Sequence, residues 1–185
     1  MLSENDWSAD NQQETDISDQ YFLGFVEGEG CFYVGFSRRK DLPLGWQVIT
    51  EFHLSQNPGG KNILNAFRKR LGCGYIKPNH KKNHKDKTWV LIVKDRNDLN
   101  NKLVPFFKKY PLKTRKREDF DIFVKTLDLI REKKHLGEEG LKIIVKLVYS
   151  SSRSTNKRYS KEEILGSSET IRKTESGSED IVRTQ

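Results

Sequence analysis

The spacing of apolar residues changes several times along the chain, and each change marks an element. Residues Phe22-Leu23-Gly24-Phe25-Val26-Glu27-Gly28-Glu29-Gly30 begin as an apolar helix, carry glycines four apart at Gly24 and Gly28, and end in a carboxylate followed by glycine. Ser18 or Asp16 is suited to cap this helix, which is expected at about Ser18 to Gly28. From Gly30 the period drops to two. Phe32, Val34 and Phe36 alternate with Cys31, Tyr33, Gly35, Ser37 and Arg39, the pattern of a half-buried strand. After the Leu42-Pro43-Leu44-Gly45 loop a second strand returns from Trp46 to Gln56. Trp46, Val48, Phe52 and Leu54 turn inward and Gln47, Ile49, Glu51, His53 and Ser55 outward; Ile49 and Thr50 blur the alternation.

Asn57-Pro58-Gly59-Gly60 breaks the chain, and Ile63, Leu64, Phe67 and Leu71 resume helical spacing up to Gly72. Cys73 to Asn79 and Thr88 to Val93 read as a second strand pair, joined by the basic loop from His80 to Lys87. Asp95 caps a helix using Leu99 and Leu103, with Pro105 expected to stop it. Two further helices carry Phe120, Phe123, Val124, Leu127 and Ile130, then Leu141, Ile144, Val145 and Val148. Ser160-Lys161-Glu162-Glu163 is a capping box for a short helix through Leu165. A helix, two strands, a helix, two strands and a helix predict an α+β domain, with helices on one face of an antiparallel sheet. Residues 1–17 are expected to be a flexible acidic tail, 18–150 the core, and 151–185 a short helix with a partly disordered extension.

Charge sharpens this picture. The formal net charge is +8, yet residues 1–20 contain six acids and no Lys or Arg, so the remainder carries +14. The segment from Ser150 onward has seven basic and six acidic residues, which leaves +13 on residues 21–149. Such concentration points to a polyanion, nucleic acid before membrane. No apolar run approaches the roughly 18 residues of a membrane span. The acidic, polar start is unlike a signal or Arg-rich transit peptide, and two cysteines argue for a reducing compartment. The expected setting is intracellular, organellar if the host is eukaryotic. Cys73, His80 and His84 lack the fourth ligand and pair spacing of a zinc site.

The glycine-spaced helix carries the chemistry. Gly24 and Gly28 lie on one helix face and let a second backbone approach closely. Glu29 falls at the helix C-terminus, where the macrodipole disfavours negative charge and a cation is welcome. Taken alone, the same residues also describe a helix-to-strand turn with a solvated acid. The segment resembles the LAGLIDADG motif in its variant ending Gly-acid-Gly, and the elements downstream fit the LAGLIDADG homing endonucleases over roughly residues 18–165. That resemblance implies an αββαββα fold with extra C-terminal helices, whose open sheet face lies on double-stranded DNA. It implies that Glu29 takes the metal-binding acidic place, with Mg²⁺ shared by the Glu29 carboxylates of two chains. One motif copy implies a homodimer, packed through Phe22, Gly24, Phe25 and Gly28.

The same resemblance implies two further catalytic positions. Gln56, ending the second strand, takes the place of a water-orienting polar residue, and Lys113 in Pro111-Leu112-Lys113 that of an active-site lysine. Without it, Gln56 is an exposed amide and Lys113 one more solvated charge beside Arg115, Lys116 and Arg117. One departure stands out: homodimeric relatives carry a basic residue where Gly60 sits here, next to Lys61. A two-stranded ribbon fits the DNA major groove. Arg39, Gln47, His53, Lys77 and Asn79 are suited to base edges, with Tyr33, Ser37, Glu51 and Thr88 alongside, while Lys81, Lys82, Lys85 and Lys87 suit phosphates. The implied activity is a metal-dependent double-strand break in a long, nearly two-fold symmetric DNA site. The alternatives on the same fold are an RNA maturase that binds intron RNA and a non-catalytic DNA-binding regulator.

Overall fold

A computed structural model of the chain describes residues 17–80, 85–150 and 158–166. The expected tail at 1–17 falls almost wholly outside these residues, as does the extension after Gly166. Helix α1 spans Asp19–Glu29, capped by the Ser18 side chain, which accepts from the Tyr21 amide at 3.2 Å. Strands β1 (Gly30–Arg38) and β2 (Trp46–Gln56) form a long ribbon. Helix α2 (Lys61–Leu71) follows, closed by Gly72 in the left-handed region at φ 66°. Strands β3 (Tyr75–Pro78) and β4 (Trp89–Val93) complete an antiparallel sheet of order β1-β2-β4-β3. The fold is α+β with one four-stranded antiparallel sheet, as the pattern predicts.

Strand β2 alternates more strictly than its sequence reads, because Thr50 is buried at 5 % exposure alongside Trp46, Val48, Phe52 and Leu54. The third helix, α3, runs over 96–109, as Arg96–Asp98, a π-helical Leu99–Leu103 and Val104–Lys109. Pro105 therefore does not stop it. The Val104 amide bonds the Leu99 carbonyl, five residues back, and this wider turn brings the chain to a proline that has no amide to donate. Helices α4 (Lys116–Arg131) and α5 (Glu138–Ser150) follow. A last helix, α6, covers 161–166. Its capping box forms as expected: Ser160 N donates to Glu163 Oε2 at 2.8 Å and Glu163 N to Ser160 Oγ at 3.0 Å.

All the helices' apolar stripes close on the same side of the sheet, in two cores. The larger packs Phe22, Phe32, Phe52, Phe67, Phe107 and Phe123 beneath the middle of the sheet. The smaller lies under the far end of the ribbon, where Phe36, Trp46 and Val48 meet Ile144, Val145 and Val148 of α5 and Ile164 of α6. Among the described residues no helix covers the other sheet face.

Candidate active site and nucleic-acid interface

The end of α1 separates its two acids. Glu27 turns toward the segment that precedes α4, accepting from Lys113 N at 2.5 Å, from Thr114 N at 3.3 Å and from the Thr114 hydroxyl. Burial works against its charge, but these donors and Lys116 outweigh it and hold the Glu27 carboxyl below the usual range. Glu29, the last helical residue, is exposed and has no hydrogen-bond or ion-pair partner among the described residues. Gly30 bonds Val26 O and starts β1; an added Cβ would lie 2.6 Å from Val26 Cγ1 and 2.8 Å from Val26 O, so only glycine makes this exit.

Gln56 reaches the same end of the sheet. Gly30 pairs with Leu54, so the residues that follow in β2 run past Glu29 to Gln56. Gln56 Oε1 accepts from Asn57 N at 2.7 Å, leaving the amide nitrogen as its donor. Its side chain lies over Gly60, where a Cβ would come within 2.1 Å of Gln56 Cγ. A basic side chain at position 60 is thus incompatible with this placement of Gln56. Lys61 does not fill the role either: its ammonium sits 3.6 Å from the centroid of the Trp89 ring, a cation–π contact.

Of the basic residues after α3, Lys113 is exposed, with its backbone fixed by Glu27. Lys116 is not the solvated charge its neighbours suggest. It is 5 % exposed, and its ammonium donates to the Gly30 carbonyl, the residue next to Glu29. Sequence reasoning missed Lys116 and the anchoring role of Glu27, since neither position differs in type from its charged surroundings.

The open face gathers the residues proposed to read DNA, with different degrees of freedom. Tyr33 is 41 % exposed on β1 and stands opposite Glu51 of β2. Burial first, then Glu51 and Cys31, push the Tyr33 phenol up. His53 Nε2 lies 2.8 Å from Glu51 Oε2. Ser37 pairs with Gln47, and Lys77 sits on β3 opposite Val90. Arg39 falls just beyond β1, where two hydrogen bonds of 2.8 and 2.7 Å tie it to Asp41, and it donates to Gln47 Oε1 at 3.4 Å. Arg39 holds the Asp41 carboxyl down at about 2. Asn79 N bonds Thr88 O at 2.9 Å to close the β3–β4 loop. The Thr88 hydroxyl is engaged internally, donating to Asp86 Oδ1 at 2.5 Å, and Asp86 also meets His80. Lys85 and Lys87 are exposed; Lys81 and Lys82 lie outside the described residues.

The expected dimer face needs one correction. Phe22 is 2 % exposed and packs against Phe67 with ring centroids 4.9 Å apart, so it belongs to the protomer's own core. Tyr21, at 52 % exposure, takes its place on the outer face, stacked on Phe25 at 6.4 Å. Gly24 and Gly28 share that face, and outside their own helix backbone an added Cβ at either would meet no described residue within 4 Å.

Of the zinc candidates weighed in the sequence, Cys73 is buried, His80 is engaged by Asp86, and His84 lies outside the described residues. Among the described residues no group of three or more His, Cys, Asp or Glu side chains is placed to hold a metal within one protomer. Glu29 instead offers one uncommitted carboxylate, which suits a hard divalent cation whose other oxygen ligands come from outside the protomer. No helix among the described residues is long and apolar enough to cross a membrane.

Comparison with known proteins agrees with this arrangement. Probable intron-encoded endonuclease 3 of Neurospora crassa is 34 % identical over 125 residues, 67 % of this chain and 22 % of that protein. Probable intron-encoded endonuclease 2 of the same organism is 32 % identical over 130 residues, 70 % of this chain and 28 % of that protein. The chain thus spans less than a third of the length of these relatives. The crystal structure of the homing endonuclease I-TnaI superposes with a TM-score of 0.71 at 36 % identity, covering 84 % of this chain and 99 % of that one. I-SmaMI bound to cleaved DNA superposes with a TM-score of 0.69 at 25 % identity, covering 75 % of this chain and 45 % of that one. The model of the LAGLIDADG endonuclease family matches residues 22–127, from the motif helix through α4, and the chain belongs to that family.

Proposed function

We propose that the protein is a homing endonuclease that acts as a homodimer with Mg²⁺, making a double-strand break in a long, roughly two-fold symmetric DNA site within the setting of intron homing. The observation that carries this reading is the division of labour between two neighbouring acids. Glu27 is spent on Lys113 and Thr114, whereas Glu29 is exposed and uncommitted beside Gln56 and Lys116. The solved relative I-SmaMI is bound to DNA, which supports DNA as the partner of this chain; the polar and basic side chains of the open sheet face make that face the surface proposed to meet it.

Two protomers related by a two-fold axis along α1 would bring both Glu29 carboxylates to one place. A divalent cation held by Glu29 and its counterpart would polarise the scissile phosphate and acidify a bound water. The chain's own residues supply orientation and charge around it. Gln56 presents its amide N–H groups to a water, since its oxygen is engaged by Asn57. Lys113, at the exposed end of a backbone fixed by Glu27, offers an ammonium to developing charge on phosphate. Lys116 holds the Gly30 carbonyl and with it the exit of α1.

The deciding experiment compares Glu29→Gln and Glu27→Gln in cleavage and filter-binding assays, with Mg²⁺ and with Ca²⁺. Glu29→Gln should abolish cutting while leaving dimerisation and DNA binding in place. Full cutting by Glu29→Gln would defeat the proposal.

A further inference from the structure

On the open face, three side chains form one unit at the centre of the ribbon. Glu51 and His53 are two residues apart on β2 and share a face. Tyr33 stands directly across from Glu51, and its ring lies parallel to the imidazole, 9° between planes with centroids 6.1 Å apart. The phenol can lie along the strand only because residue 35 is glycine: a Cβ there would sit 2.2 Å from the Tyr33 hydroxyl oxygen.

The contact between Glu51 and His53 sets the polarity of the ring. A carboxylate only accepts, so His53 Nε2, at 2.8 Å from Glu51 Oε2, must carry the hydrogen. In a neutral imidazole the other nitrogen, Nδ1, is then a pure acceptor. No group among the described residues bonds to Nδ1, and the His53 side chain is 32 % exposed on this face. Acceptors on major-groove readers pair with the exocyclic amines of adenine (N6) or cytosine (N4); guanine O6 and N7 and thymine O4 offer nothing to an acceptor.

We propose that His53 is a specificity-determining residue that reads an exocyclic amine of adenine or cytosine through Nδ1, and that Glu51 is a positioning residue that fixes the tautomer without touching the base. Tyr33 holds the plane of the ring. The inference rests on the DNA-endonuclease reading and adds to it the polarity of one base contact per half-site.

The test is selection of bound duplexes from a random library in alkaline buffer, with wild type, Glu51→Gln, His53→Ala and Tyr33→Leu. Wild type should select one base pair at one symmetry-related pair of positions, a preference that His53→Ala loses. Replacing the adenine or cytosine of that pair with an analogue lacking the amine should weaken wild-type binding about fivefold or more. The same replacement should change binding by His53→Ala by less than about twofold. Glu51→Gln, whose amide no longer dictates the tautomer, should accept amine-bearing and amine-free bases within about twofold while other positions keep their preference. A merely structural role for Glu51 would instead lower all positions together. Wild-type binding that is unchanged when the amine is removed from the His53-dependent base pair, an unchanged preference in Glu51→Gln, or a preference lost with Glu51→Gln but kept in His53→Ala would each overturn the inference. Failure of wild type to bind any duplex would overturn the endonuclease reading with it, whereas sequence-specific binding indifferent to all three variants would overturn this inference alone.

Discussion

The carboxylate of Glu27 and the hydroxyl and amide of Thr114, 87 positions apart in the chain, are hydrogen-bonded to one another. This tie joins the last turn of α1, which carries Glu29, to the segment that carries Lys113 and Lys116 at the start of α4. Glu27→Gln and Thr114→Val should each lower stability by about 1–2 kcal/mol, a charge-assisted bond discounted for partial exposure. The Glu27 carboxyl is held below its ordinary value of 4.5, so its contribution is complete above that pH and is lost as pH falls through the lower folded value. Thermal melts at graded pH should therefore show wild type and Glu27→Gln well separated near neutrality and converging in acid. A gap that stays constant to the acid limit would show that the charge of Glu27 contributes nothing.

The open stripe of α1 allows the dimer to be tested apart from the fold. Outside the backbone of its own helix, no described residue lies within 4 Å of a Cβ at Gly28. Gly28→Leu should leave circular dichroism intact, with the helix itself favoured by about 0.5–1 kcal/mol. Sedimentation should nonetheless shift to the monomer, and cutting of both strands should cease. A Gly28→Leu dimer that cuts normally would place the interface elsewhere.

The two lysines beside the motif should part company. Lys113→Met should change stability by no more than about 0.5 kcal/mol and still slow cleavage. Lys116→Met leaves the Gly30 carbonyl without its ammonium donor and should cost about 1–3 kcal/mol. The pair of melting curves and single-turnover rates decides the matter. If Lys116→Met melts like wild type and loses cutting, the catalytic ammonium is Lys116 rather than Lys113.

Charges on the loop and on the sheet should differ in kind. Lys85→Ala and Lys87→Ala should each reduce the salt dependence of binding by about one unit or less, equally for all sequences. Lys77→Ala, on the reading face, should alter preference at a defined base pair. Binding isotherms across salt, read against a panel of single-base variants, separate the two effects.

Much of this architecture was legible from residue spacing. The capped motif helix, Gly72 and the capping box at Ser160 follow from local chemistry, because each is set by neighbours within four residues, and the ribbon follows from the two-residue alternation on either side of its turn. What local chemistry does not encode is which side of an element meets which neighbour. Helix α1 is apolar at Phe22, Leu23, Phe25 and Val26, more than one stripe's worth, and only the packing of Phe22 on Phe67 decides that Phe22 faces the core. Lys116 looks like Lys113 in sequence, yet one ammonium is buried on a carbonyl from 86 residues earlier. Pro105 misleads for another reason: a proline ends a helix only where the regular turn demands its amide, and the π turn at Leu99–Leu103 removes that demand.

The ribbon extends beyond the shorter strands β3 and β4, and its far end rests on the smaller core. There Trp46 meets Tyr159 edge-on at 4.8 Å, the Tyr149 hydroxyl bonds the Tyr159 carbonyl at 2.5 Å, and Arg38 lies over the Trp46 and Tyr159 rings. Residues 138–150 and 158–166 thus form a bracket beneath the ribbon's far end, outside the segment matched by the family. Ribbon tips exchanged between relatives will keep their target preference only when the bracket travels with them. New targets are equally open to substitutions at Tyr149, Tyr159 or Ile164, which tilt the ribbon without contacting a base.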